Sequence, residues 1–217
     1  MKKYVVMDLE MCNVIKLACK NKYHLGKEII QIGAVLLNEN LDIVDRFMQY
    51  VKPVYGNIDT QIHKLTGIYR EDLKDAKSLE EVLYEFINFI PRDAVIVSWS
   101  LNDLYQIMDE LDEKEIYIEA MESYFETWED CQEMFSDKMN AYKIYKLSEA
   151  LRIANIEMDV HEHDALADAI NTAKLFKKML VEETLVLSSY YSTQIEEEKC
   201  INHPFASLLG QFCFEQE

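Results

Sequence analysis

The sequence predicts an α/β domain built around a mixed sheet. Three apolar, strand-like runs separated by short turns fill roughly the first quarter of the chain, and helical spacing then alternates with one further strand. This order of elements is typical of proteins in which helices pack on a sheet. The chain of 217 residues is 49% hydrophobic, which suits one domain with a substantial core.

The first three strands are expected to form an antiparallel meander. Residues 4–10 contain a β-branched apolar run that is typical of a strand buried on both faces. Residues 28–37 form a second apolar strand, and residues 38–40 supply turn residues. Residues 43–51 form a third strand, which Pro53 closes. Short turns between consecutive strands favour antiparallel pairing.

Helices are predicted after the meander, with further strands among them. Short helical pieces are expected over residues 58–75. Ser78 and Glu81 form a capping-box pattern, apolar residues follow at helical spacing, and Pro91 lies past the end. The remaining predictions are a strand over 94–99, a helix over 104–111, a short strand near 124–128, and helices over 147–154 and 165–180.

The sequence suggests a main domain, residues 1–181, and a C-terminal extension, residues 182–217. With only 5 Gly and 3 Pro in the chain, no flexible linker is evident between them. Residues 184–199 have the pattern of one more helix. The last stretch is apolar, so we expect the extension to dock on the domain.

Composition bounds the environment and the partners. The formal net charge of −18 argues against a protein that coats long nucleic acid electrostatically. No apolar run is long enough to span a bilayer, and the first strand follows Met1 too closely for a signal peptide. The five cysteines are scattered without metal or disulfide spacing. We therefore expect a cytoplasmic protein with no membrane partner.

Two acidic residues close the first strand. Asp8 and Glu10 are two positions apart, so their side chains leave the same face of a strand. Two carboxylates at the end of an apolar strand repel each other and are costly to desolvate, and a bound cation offsets both effects. The alternative is that the strand simply ends here and both acids are solvated.

Two more acids and a histidine occupy unusual contexts. Asp103 follows the fourth strand at the start of a helix, where ligands gather in open α/β sheets. Asp168 lies in an alanine-rich helical stretch that leaves room beside its carboxylate. His163 precedes Asp168 by five residues, so it can share a site with Asp168 only from the turn before the helix or from its first residue. A surface or core role is the alternative for His163, and it is the favoured interpretation of His161.

These residues together resemble the DEDDh family of 3′→5′ exonucleases. The resemblance covers roughly residues 4–180 and is closest in pattern to the branch that trims small RNAs and histone mRNA. The sister DEDDy subgroup has Tyr four residues before the last Asp, where this chain has Asp164. The matching blocks are Asp8-Leu9-Glu10, Glu28-Ile29-Ile30-Gln31-Ile32-Gly33-Ala34-Val35, Tyr50-Val51-Lys52-Pro53, Leu65-Thr66-Gly67-Ile68, Asp103, and His163-Asp164-Ala165-Leu166-Ala167-Asp168-Ala169.

The resemblance implies a fold, a reaction and a cofactor. The fold would be ribonuclease H-like, with a mixed five-stranded sheet and helices on both faces. Two Mg²⁺ or Mn²⁺ ions would be held by Asp8, Glu10, Asp103 and Asp168, and His163 would be the general base. The products would be nucleoside 5′-monophosphates released from the 3′ end of single-stranded RNA or DNA. The alternatives are a catalytically silent adaptor that binds nucleic acid or protein, and a metal-dependent phosphohydrolase of small nucleotides.

Two lysine-rich stretches are candidates for substrate contact. Residues 11–27 contain no acid, and residues 138–146 are also free of acids and carry two tyrosines that could stack on bases. A solvated loop is the alternative for the first stretch. Short single strands with a free 3′ end are the expected partners, and a protein partner could bind the acidic face or the extension. The predicted substrate-binding residues are Met11, Lys16, Lys20, Lys22 and Tyr23.

Overall fold

The computed structural model describes residues 2–14, 24–158 and 164–189. Six strands and seven helices are assigned within these ranges. The strands are β1 (Lys3–Val14), β2 (Lys27–Leu37), β3 (Ile43–Tyr50), β4 (Gly56–Asn57), β5 (Ala94–Ser98) and β6 (Glu129–Asp130). The helices are α1 (Thr60–Thr66), α2 (Leu79–Phe89), α3 (Asn102–Glu113), α4 (Glu119–Phe125), α5 (Cys131–Lys138), α6 (Leu147–Ile153) and α7 (Ala165–Val181).

The strands form one mixed sheet in the order β3-β2-β1-β5-β6. β1, β2 and β3 pair antiparallel as the predicted meander, whereas β5 and β6 run parallel to β1. The two-residue strand β4 pairs with the end of β1 outside this path. The α/β, ribonuclease H-like fold with a mixed sheet is therefore confirmed, and β4 is a small addition to the five predicted strands.

β1 continues past the predicted end at Glu10. The β1–β2 register shifts between Glu10 and Met11, where the chain forms an irregularity of the β-bulge type, and pairing then resumes to Asn13. A bulge bends a strand and re-aims its side chains. The acid pair consequently lies in the middle of a long strand, on the near side of a bend, and not at a frayed end.

Two hydrophobic clusters cover the two faces of the sheet. One contains the buried Phe86 of α2 and Ile107 of α3, and the other contains Phe135 of α5 and Phe176 of α7. Helices therefore lie on both faces, as predicted. Within the described part of the chain, none of the helices combines the length and apolar character that a bilayer crossing requires.

Two elements differ from the sequence-based expectation. The strand expected near residues 124–128 is wrong in position, because residues 119–125 form α4 and the edge strand is Glu129–Asp130. Residues 182–188 contain no helix, so a helix in the extension can begin no earlier than Ser189. Leu185 is nevertheless buried, and the Ser188 amide donates to the Ile153 carbonyl at 2.8 Å. The domain division at residue 181 stays a prediction.

Candidate active site

Three carboxylates meet where β1 faces the first turn of α7. Asp8 and Glu10 leave the same face of β1 because their positions differ by two. Asp168 lies in the first turn of α7. One carboxylate oxygen from each residue lies within 4.8 Å of the other two. Three carboxylates at this spacing can be bridged by one hard cation.

Gly33 allows α7 to approach the sheet closely enough for this grouping. It lies directly opposite Asp8 in the β1–β2 ladder. A Cβ atom built on Gly33 would lie 2.2 Å from the carbonyl carbon of Ala165 and 2.2 Å from the amide nitrogen of Leu166. Only glycine permits this contact between backbones. β2 therefore sets how near Asp168 comes to the acids of β1.

Gln31 joins β2 to the start of α7 through two hydrogen bonds. Its Oε1 accepts from the Ala165 amide at 3.0 Å, and its Nε2 donates to Asp164 Oδ2 at 3.2 Å. The other oxygen of Asp164 caps α7 by accepting from the Ala167 amide at 3.0 Å. Sequence reasoning missed this role of Gln31. The available signal was a single amide within an otherwise apolar strand, since a buried polar group requires partners.

Asp103 completes the acidic group from α3. The carboxyl ends of the parallel strands β1 and β5 share one edge of the sheet, and Asp103 follows β5 in the first turn of α3. Its side chain is buried, with 7% of its surface exposed. Asp103 is close enough to Asp8 to raise the pKa of that carboxyl, as described next. The four acids predicted from the sequence thus lie in one region.

Burial and mutual repulsion raise the pKa of the acids. The pKa of Asp8 lies well above its ordinary value, first because of burial and then because of Asp103, Asp168 and Glu10. The pKa of Glu10 rises to about 8, again chiefly through burial and then through Asp168. Burial and the charge of Asp130 raise the pKa of Asp103 to about 7. A divalent cation would offset this repulsion and allow all four acids to ionise.

The donor set fits hard divalent metal ions. Every candidate ligand atom is a carboxylate oxygen, the type that Mg²⁺ and Mn²⁺ prefer, and three of them converge from two elements. Neither Cys12 nor Cys131, both free and buried, belongs to the group. The residues that would hold such ions are therefore Asp8, Glu10 and Asp168, with Asp103 beside them.

The other predicted site residues are placed differently. Met11 lies on β1 directly after the bulge, half-buried, and packs against the hydrophobic cluster of α2 and α3. The remaining predictions lie outside the described residues, so they stay predictions. They are the general base His163, its neighbour His161, and the substrate-binding residues Lys16, Lys20, Lys22 and Tyr23.

The fold and the four acids together indicate an exonuclease, and a comparison with protein-family models agrees. The family model RNase_T, described as exonuclease, matches residues 5–176. The chain therefore belongs to this exonuclease family. Enzymes of the family depend on divalent metal ions, and the carboxylate group lies within the matched range.

Two curated relatives of this chain are DNA polymerase III proteins. A PolC-type DNA polymerase III of Caldanaerobacter subterraneus subsp. tengcongensis is 34% identical over 179 residues, which are 82% of this chain but 12% of the polymerase. The ε subunit of DNA polymerase III of Buchnera aphidicola subsp. Acyrthosiphon pisum is 24% identical over 82% of this chain and 73% of the subunit. The chain thus spans about an eighth of the PolC-type relative.

A solved structure shows the same fold. The nuclease domain of 3′hExo, a DEDDh family member bound to rAMP, superposes with a TM-score of 0.68 at 21% identity, over 87% of this chain and 96% of that one. The exonuclease fold predicted from the sequence is therefore confirmed, whereas the DEDDh assignment stays a prediction, because its histidine lies outside the described residues. The comparisons do not specifically support the small-RNA-trimming branch that the sequence pattern suggested, because both curated relatives described above are polymerase proteins.

Proposed function

We propose that this chain is a 3′→5′ exonuclease that removes nucleoside 5′-monophosphates from single-stranded 3′ ends with the help of two divalent metal ions. The observation that carries the proposal is the convergence of Asp8, Glu10 and Asp168 within 4.8 Å, with the buried Asp103 beside them. Two-metal hydrolysis of phosphodiesters requires such a set of carboxylate ligands.

Each acid has a distinct part in this proposal. Asp8, Glu10 and Asp168 would hold one ion, and Asp8 together with Asp103 would hold the second. When bound, the two ions supply an activated water and neutralise charge on the leaving oxygen. His163 accepts the proton of the attacking water. Gln31 keeps the first turn of α7, and with it Asp168, against β1.

We further propose DNA ends as the preferred substrate. The relative with 34% identity is a DNA polymerase, and the ε subunit belongs to another, which supports DNA where the sequence left RNA and DNA open. The same relatives support a polymerase-like protein as the partner, and the cytoplasmic location stays a prediction. The acidic stretch over residues 109–133 and the extension are the proposed contact surfaces for such a partner.

The test is a product ladder from the full chain. Single-stranded DNA and RNA oligomers labelled at the 5′ end are incubated with the protein and Mn²⁺ or Mg²⁺. The proposal expects ladders that shorten from the 3′ end, faster with DNA, and no reaction in excess chelator or with Asp8→Asn. Intact oligomers under all metal conditions would support the adaptor. Hydrolysis of a nitrophenyl nucleotide ester without oligomer cleavage would support the small-nucleotide phosphohydrolase.

A further inference from the structure

A groove opens beside the acidic group. Its volume is about 500 Å³, and Asp168 is one of its lining residues. Residues 141–146 are here named the groove loop, and residues 144–146 line the groove together with part of α5 and the start of α6. The described residues that line the groove include Trp99, Asn102, Gln132, Ile144, Lys146 and Leu147. The groove is therefore continuous with the proposed catalytic site.

α5 holds the groove loop in place. The ring of Tyr145 is buried edge-on against Phe135, with ring centres 5.1 Å apart. Gln132 Nε2 donates to the Tyr145 carbonyl at 2.6 Å, and Ser136 Oγ donates to the Lys143 carbonyl at 2.9 Å. A loop with a buried aromatic anchor and satisfied carbonyls presents its remaining side chains in fixed positions.

The side chains that the loop presents are apolar and basic. Tyr142 is fully exposed and Ile144 is 84% exposed, although a folded chain gains free energy by burying such groups. The ammonium of Lys143 pairs with Glu149 at 2.6 Å. Lys146 is exposed and has no carboxylate partner among the residues that the structure describes. Because the whole chain has a net charge of −18, an exposed aromatic ring and an exposed ammonium in one loop are a local reversal of the sign of charge.

We propose that the groove and the groove loop bind the nucleotides that lie 5′ of the scissile phosphate in a single strand. A base stacks on Tyr142, a sugar or base edge packs on Ile144, and Lys146 contacts a backbone phosphate. The inference rests on the proposed function. In a 3′ exonuclease only the upstream strand leaves the catalytic site, so a groove that Asp168 helps to line has the right position. Stacking rings interleaved with cations are what single strands require.

The experiment compares two substrate lengths with the full chain and Mn²⁺. The measured quantity is the ratio of kcat/KM for a single-stranded decanucleotide to kcat/KM for a dinucleotide, which offers only one nucleotide 5′ of the scissile phosphate. The double variant Tyr142→Ala/Ile144→Ala should lower this ratio by roughly tenfold or more, through KM of the decanucleotide. Lys146→Gln should lower the ratio and reduce its salt dependence.

Matched controls carry the same chemical change elsewhere. Tyr117→Ala removes a 70% exposed ring beyond the far end of α3, and Lys3→Gln removes an exposed ammonium at the start of the central strand β1. Both should keep the parent ratio. A parent that hydrolyses neither substrate refutes the proposed function itself. If the parent hydrolyses both substrates and the double variant keeps the parent's ratio of kcat/KM values, the groove proposal is overturned and the proposed function stands. That result would be expected if this surface binds a protein.

Discussion

At the residue scale, the protonation of the acidic group is coupled to folding and to metal binding. Glu10 and Asp103 have their pKa raised from ordinary values of 4.5 and 3.8 to about 8 and about 7. Between the ordinary and the raised values, the metal-free native state binds more protons than the unfolded state. The free energy of unfolding therefore falls as pH rises through this window.

We predict that the metal-free protein loses stability between about pH 5 and pH 8, and that Glu10→Gln/Asp103→Asn flattens this loss. Urea denaturation in chelator at several pH values measures the slope. Excess Mn²⁺ should reverse its sign, because metal ions displace the protons from the carboxylates. A parent and a double variant with the same slope would show that these two acids do not carry the extra protons.

Gln31 provides a second prediction at this scale. Gln31→Met keeps the volume but leaves the Ala165 amide without its acceptor, which should cost about 1–3 kcal/mol of unfolding free energy. Because the first turn of α7 loosens, Mn²⁺ affinity should also fall. Gln49→Met on the edge strand β3 is the control and should leave metal affinity at the parent value. Equal Mn²⁺ affinity in both variants would refute the positioning role of Gln31.

At the scale of elements, Gly33 fixes the contact between β2 and α7. Gly33→Ala places a methyl group against helix backbone, which cannot move aside as a flexible side chain would. We predict a loss of about 1–3 kcal/mol or more in unfolding free energy and a lower affinity for Mn²⁺. Gly26→Ala is the matched control, because a Cβ atom there meets nothing within 4 Å. Thermal unfolding measures the stability of both variants, and Mn²⁺ titration measures their metal affinity. Equal results for the two variants would contradict the role of Gly33.

A buried ion triad joins β2 to the end of α3. Lys114 Nζ lies 2.7 Å from Glu28 and 2.8 Å from Glu110, and both glutamates are fully buried. Glu28 also accepts from the Val54, Tyr55 and Gly56 amides, which fixes the chain before and within β4.

Lys114→Met should therefore cost about 3–5 kcal/mol in urea denaturation, because it leaves buried charge without a partner. Lys143→Met breaks the exposed pair with Glu149 and should cost less than about 1 kcal/mol. Similar losses for the two variants would contradict the account of the triad.

The elements that could be predicted from the sequence are those with local signals. The meander follows from apolar runs and turns, and α2 begins at the predicted Ser78–Glu81 capping box. The triad could not be predicted, because Lys114 and Glu28 are far apart in sequence and each resembles a solvated charge. The strand expected near residues 124–128 failed because a short apolar and aromatic run suits a helix packed on the core as well as a strand.

At the scale of the whole molecule, the acidic group was predictable and the substrate surface was not. The order of the acids along the chain indicated the site, and the fold brings them to one edge of the sheet. The groove depends on how α5 anchors residues 141–146, which no local pattern reveals. A net charge of −18 concentrates any nucleic-acid contact in such local surfaces.

The central claim is that Asp8, Glu10, Asp103 and Asp168 form a two-metal site. The most direct measurement is Mn²⁺ binding to the full chain in the presence of a nucleoside 5′-monophosphate, because it does not depend on the choice of substrate. We predict two ions bound per chain for the parent and loss of both in Asp8→Asn, because the proposed function has this side chain contribute to both positions. A parent that binds no Mn²⁺, or an Asp8→Asn variant that binds as many ions as the parent, would contradict the account.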